Sequence, residues 1–256
     1  KTWQGETALM AAAFAGRLDA CEVLVAEGGA AVDQRKHDGV TALMLAIEGG
    51  HLDVVKYLQD QGADIHAGDD DGITPMHVAA QYGHLDVLKY LQDQGADIHA
   101  RTNEGWSPLL LACYFGHAEV AAFLLRKGAG KGSDAALLDG RSFLHLAAQS
   151  GHVAVVEAIV SAHPNPATWH KFLMGCGALS ELRALGAAPP APNAPRNFLP
   201  RIYVAGVPRK IWSFLEKPCY ADLERTDGDG RTALQLAEAE GKAEVAKVLR
   251  QWGAQG

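Results

Sequence analysis

A short frame, glycine, any residue, then threonine or serine, returns along this chain at a nearly constant step. Gly5, Gly39, Gly72, Gly105 and Gly140 stand two residues before Thr7, Thr41, Thr74, Ser107 and Ser142, and the steps between them are 34, 33, 33 and 35 residues. A second glycine follows nine residues after each hydroxyl residue, at Gly16, Gly50, Gly83, Gly116 and Gly151. Gly230, Thr232 and Gly241 bring the frame back near the C-terminus. Self-similarity at such a period is the mark of a stacked solenoid, in which one small unit recurs and each unit touches only its neighbours. It argues against a closed catalytic domain.

The third copy shows what the unit is. Thr74 suits a helix N-cap and Pro75 the first helical turn. Gly83 offers a left-handed stop. Val87, Leu88 and Leu91 then fall on one face of a second helix, which Gly95 ends. Ala12, Ala46, Ala79, Ala112, Ala147 and Ala237 all lie five residues after a frame hydroxyl, where a small side chain lets neighbouring helices approach closely. One unit alone buries too little apolar surface to fold, so the stack has to be continuous.

The stretch Thr74-Pro75-Met76-His77-Val78-Ala79-Ala80 resembles the opening motif of an ankyrin repeat. Gly83 to Leu91 is similar to its second helix, and Gly95 to Ala100 to the hairpin that follows. The resemblance covers about 190 of the 256 residues, 1–163 and 227–256. It implies an all-α ankyrin-repeat solenoid of helix-turn-helix units with short hairpins and six clear repeats. It also implies a non-enzymatic protein-protein interaction module or scaffold.

Residues 1–163 then hold repeats one to five, and 227–256 the last repeat. Between them, Thr168 and Gly177, and again Asn197 and Gly206, keep the spacing of nine. The expectation is two degenerate repeats over 164–226. The alternative is a free insertion, because Leu173 and Ile202 replace the small alanine, and Pro189, Pro190, Pro192, Pro195 and Pro200 read as an extended bridge.

Charge narrows the partners. The net charge is −7, but residues 1–163 hold 11 Lys/Arg against 21 Asp/Glu, while 164–226 hold 8 against 4. An acidic body argues against nucleic acid, whose phosphates need a basic face. No run of 18 apolar residues occurs, so no membrane span is expected. Cys21, Cys113, Cys176 and Cys219 form no CxxC pair, which fits a reducing compartment and an intracellular, cytoplasmic protein. The chain begins at Lys1, part-way into a repeat. That suits a second reading, a regulatory or targeting domain of a larger enzyme or channel; a third, independent of it, is a structural subunit of a large assembly.

No nucleophile elbow, phosphate loop or zinc-protease motif is present. No catalytic residues, no cofactor and no small-molecule substrate are therefore expected. The eleven histidines are explained by the frame. His51, His84, His117 and His152 each follow a repeat glycine, and His77 and His145 fill the motif position. Their spacing near 33 puts them on successive rungs, so no metal site is expected.

By the resemblance, partners meet the hairpin tips and the exposed face of the first helices. The matching positions are the residue between frame glycine and hydroxyl, and the two residues before the helix-ending glycine. Repeat four places Trp106, Tyr114 and Phe115 there, with Ile73 and Tyr82 in repeat three, Arg141 in repeat five and Phe14 at the corresponding place in repeat one. An exposed aromatic patch is costly in water and commonly marks an interface. Asp70, Asp71 and Glu104 make acidic tips that set a charge preference. The expected site is the sum of these ten residues, and its alternative is that splayed later repeats fold back over the rings or that the rings cover one another.

Overall fold

The computed structural model describes residues 5–130, 136–161, 223, 225–252 and 254. These residues form six pairs of short helices: α1 (Ala8–Phe14) with α2 (Leu18–Ala26), α3 (Ala42–Glu48) with α4 (Leu52–Asp60), and α5 (Pro75–Tyr82) with α6 (Leu85–Asp93). The chain continues with α7 (Pro108–Phe115) and α8 (Ala118–Lys127), α9 (Phe143–Ser150) and α10 (Val153–Ser161), and α11 (Ala233–Ala239) and α12 (Ala243–Gln251). Among the described residues there is no β-strand, only isolated bridges at Ala136–Ser142 and Thr226–Thr232. The expectation of an all-α repeat fold is met. The two degenerate repeats expected over 164–226 fall on residues that lie almost wholly outside those described.

Each first helix packs on the next first helix, from α1 against α3 through to α9 against α11, and the second helices do likewise. The alanines picked out by spacing are the contact points. Ala46, Ala79, Ala112, Ala147 and Ala237 are all fully buried. Beside them runs one continuous core that includes Leu9, Leu43, Met76, Leu109, Leu144 and Leu234. The last pair sits directly on the fifth: α11 lies on α9, and α12 on α10. Among the described residues, no further helix pair stands between them.

Between repeats the chain makes a five-residue hairpin. It is closed by backbone bonds from Lys36 to Val40, Asp69 to Ile73, Thr102 to Trp106, Leu137 to Arg141 and Asp227 to Arg231. Successive tips are laced together. The Asp70 amide donates to Asp38 carbonyl at 3.1 Å, Asn103 to Asp71 at 2.9 Å, and Gly228 to Asp139 at 2.8 Å. The last of these repeats the pattern of the others, so the tip of repeat six lies on that of repeat five.

The motif histidine locks a helix start to the next hairpin. His77 Nδ1 accepts from the Thr74 amide at 3.1 Å and meets the Thr74 hydroxyl at 2.8 Å. Its Nε2 faces two carbonyls, Ala100 at 3.1 Å and Trp106 at 3.0 Å, so the proton resides on Nε2. His145 does the same between Ser142 and the Arg231 carbonyl. Both rings are fully buried, and burial holds both below the usual imidazole range. Gln235 takes the histidine position in repeat six and receives the Thr232 amide at 2.9 Å.

The second set of histidines staples the other end of the first helices. His51, His84, His117 and His152 reach back through Nε2 to the carbonyls of Phe14, Glu48, Gln81 and Tyr114, at 3.0, 3.0, 2.7 and 2.9 Å. Each ring lies over a glycine of the preceding repeat. Gly83 combines a φ of +79° with the His117 ring where its Cβ would be. Gly95 has a φ of +90° and open space.

Two outcomes follow from this packing. Gly83→Ala and Gly95→Ala each cost about 1 kcal/mol for the left-handed backbone. Only Gly83→Ala must also displace a ring, so urea unfolding should find it clearly the more damaging. The histidines bring a pH dependence. Their folded values are depressed, so the unfolded chain binds more protons and stability falls as pH drops through about 6.5. Asp38, Asp139 and Asp227 are held below the ordinary carboxylate value, so their contribution is lost only below about pH 4. Melting temperature should therefore drop between pH 7.5 and 5, and His77→Gln with His145→Gln should flatten that drop.

Candidate partner-binding face

The first helices end on the residues that the sequence singles out. Tyr82 closes α5, and Tyr114 and Phe115 close α7. All three are more than 40% exposed, large apolar side chains held at helix ends. The Tyr114 ring meets Phe115 edge-on at 5.1 Å, and Trp106 meets Tyr114 at 5.6 Å with planes 64° apart. The three rings of repeat four form one connected surface.

They do not share one role. Trp106 is half-buried and packs against the core, while its amide donates to the Thr102 hydroxyl and its carbonyl accepts from His77 Nε2. It therefore serves as a buttress behind Tyr114 rather than as a fully solvent-facing anchor. Ile73, one repeat earlier, is likewise half-buried against the core. The position between glycine and hydroxyl belongs to the hairpin closure, and a large apolar side chain there folds onto the stack.

Tyr82 is oriented by its neighbour. Its hydroxyl donates to Glu48 at 2.8 Å, and its ring stacks on His84 at 6.4 Å. Partial burial, with the Glu48 carboxylate beside it, pushes the Tyr82 phenol up to about 12. Phe14 is exposed by 51%, but it lies in repeat one, with Glu48 and Gly49 holding the intervening rung. Among the described residues no ring contact joins Phe14 to the others. The structure thus brings together Trp106, Tyr114 and Phe115, sets Tyr82 one rung away, and leaves Phe14 apart.

The acidic tips are in place and partly engaged. Asp70 and Asp71 are exposed at the tip between repeats two and three, and Glu104 is exposed at the next. Asp70 faces Arg35 at 3.5 Å across the tips, and Arg35 also donates to the Gly68 carbonyl at 2.8 Å. Asp69 is structural, accepting from the Asp71 and Ile73 amides at 3.0 and 2.8 Å. Arg141 is held by Asp139 at 2.7 Å and by Gln149 at 3.1 Å, so its charge is largely answered within its own repeat.

Sequence spacing overlooked one residue. Leu138 is 83% exposed at the tip of repeat five and rests over Gly105. The signal was available: Leu138 occupies the tip register of His37, Asp70 and Asn103, all polar. The opposite, second-helix side of the stack differs. There Tyr90 lies beneath Lys56 at 5.6 Å, and Phe123 beneath Lys127 at 5.4 Å.

Repeated helix pairs, laced hairpins and an inner row of side chains define a class of binding solenoid. The defining pattern of the family described as ankyrin repeats (3 copies) matches residues 1–69 and 76–168. The chain belongs to the ankyrin-repeat family. Members of this family are generally protein-protein interaction modules and are typically non-enzymatic. No curated protein matches the sequence. No helix among the described residues is long and apolar enough to cross a membrane.

The division of labour in repeat four is measurable. Trp106→Ala should cost about 2 kcal/mol in urea unfolding, because it removes side chain packed on the core. Tyr114→Ala should cost about 1 kcal/mol or less, the worth of an exposed edge-on ring contact. Equal costs would mean that Tyr114 is also part of the packing.

Proposed function

We propose that this protein is a non-enzymatic scaffold that holds a protein partner on the inner face of repeats three and four, with Tyr114 and Phe115 as its anchors. The observation that carries the reading is their joint exposure, 41% and 43%, on a helix end pinned from behind. His152 holds the Tyr114 carbonyl at 2.9 Å, and Trp106 supports the ring. Anchors held in place before binding lose little freedom on association, so more of the apolar burial appears as affinity. Tyr82 extends the anchor row, and Leu138 adds an apolar contact at the tip.

The partner suited to this face is a protein segment with an apolar or aromatic side chain flanked by Lys or Arg. The flanking cations meet Asp70, Asp71 and Glu104, whose charges are exposed on the tips. The same acidity disfavours nucleic acid. Cys21 and Cys113 are unpaired buried thiols, and burial pushes the Cys113 thiol up, which suits a reducing cytoplasm.

The test is a cross-linking pull-down from the native source, followed by binding measurements on the captured protein. Tyr114→Ala with Phe115→Ala should weaken binding by at least about tenfold while the chain stays folded. Binding should also weaken as salt rises. Equal affinity for the wild type and the double variant would move the site off this face.

A further inference from the structure

The stack fixes where the chain between repeats five and six starts and stops. α10 ends at Ser161, and the chain is back at the buried Leu223, ahead of the hairpin that opens repeat six. Because α12 lies on α10, residues 162–222, 61 in all, leave and return within one repeat of each other. Repeat four lies two helix widths from repeat six, about 20 Å. The nine links from Phe214 to Leu223 reach about 30 Å when extended. The inner face of repeat four is therefore within range of that run of sequence.

Its chemistry matches what the face asks of a ligand. Trp212 and Phe214 stand between Arg209 and Lys210 on one side and Lys217 on the other. The charge is opposite in sign to that of the body: residues 164–226 hold 8 Lys/Arg against 4 Asp/Glu, and residues 1–163 hold 11 against 21. On the face, Tyr114 and Phe115 expose their rings. Asp71 and Glu104 are exposed on the tips, and among the described residues no Lys or Arg pairs with either. Exposed rings beside unanswered carboxylates favour an apolar, cationic occupant. A segment tethered to the same stack meets them at an effective concentration on the order of millimolar, without a second molecule.

We propose that residues 201–217 of this same chain dock on the inner face of repeats three and four. Trp212 and Phe214 pack against Tyr114 and Phe115, and the flanking cations lie toward Asp71 and Glu104. This rests on the reading of that face as the partner site and adds its regulation: a partner binds by displacing the chain's own segment.

The test uses the full chain and a synthetic peptide of residues 201–217. Carbodiimide coupling, read by mass spectrometry, should join Lys210 or Lys217 to Asp71 or Glu104 within one chain. Trp212→Ser with Phe214→Ser should bind the added peptide at least about tenfold more tightly than the wild type, whose face is already taken. Adding Tyr114→Ala and Phe115→Ala should abolish that gain, and higher salt should weaken peptide binding. Equal peptide affinity for the wild type and the Trp212, Phe214 variant, or no binding by either, would overturn the proposal. So would links found only between chains when isotope-labelled and unlabelled protein are mixed. The partner site is checked separately with the protein captured from the native source. A captured protein that needs Tyr114 and Phe115, yet binds the wild type and the Trp212, Phe214 variant alike, keeps the face and removes its intramolecular occupant. One indifferent to Tyr114 and Phe115 removes the partner site, and the displacement with it.

Discussion

The contact between successive helix pairs is the interaction on which everything else rests. The helices are seven to ten residues long, too short to persist alone in water. Their apolar sides have nothing to pack on within one repeat except the partner helix. What completes the burial is the neighbouring repeat, which lies over Ala46, Ala79, Ala112 and Ala147 and brings the larger Leu43, Met76, Leu109 and Leu144 to zero or near-zero exposure. At roughly 2 kcal/mol for each large side chain removed from water, a single row of such contacts outweighs any tip hydrogen bond, which nets about 1 kcal/mol. The hydrogen bonds set register instead. His77, His145 and the tip-to-tip amides are satisfied only when each repeat sits one step along from the last.

That register creates the exposed inner face as a by-product. Because α1, α3, α5 and α7 are each held at the start by the cap and at the end by the next repeat's histidine, the residues that close them are held at the surface. In repeat two they are Glu48 and Gly49; in repeat four they are Tyr114 and Phe115. The same scaffold positions that hold a carboxylate and a glycine in one repeat carry two aromatic rings in another. Packing and the exposed aromatic surface therefore fall to separate residues here. Trp106 stands between them, packed on the core on one side and supporting Tyr114 on the other.

Much of this was legible in the sequence, for a physical reason. A repeat period reports register, so every residue one step apart shares an environment. The spacing identified the alanine contact points, the hydroxyl caps, the glycine stops and the structural duty of the histidines. It was less informative about depth. Ile73 and Trp106 were read as solvent-facing and are half-buried, because a large side chain at the hairpin closure turns back onto the stack. Phe14 shares its register with Tyr114, but shared register is not contact, and repeats two and three separate them. Arg141, placed by spacing at a partner-facing position, is engaged by Asp139 and Gln149. Leu138 was legible and overlooked.

The sequence by itself determined that the chain is a helical solenoid, which residues repeat, and where each helix begins and ends. Those are local properties, set by capping, glycine conformation and hydrophobic spacing within one unit of about 33 residues. Only the tertiary structure decided which units are neighbours. Repeat six bonds to repeat five through Gly228 and Asp139, although dozens of residues separate the two repeats in the chain, and no periodicity could specify that. Tertiary structure likewise decided which side chains are exposed, because exposure depends on what the adjacent repeat covers.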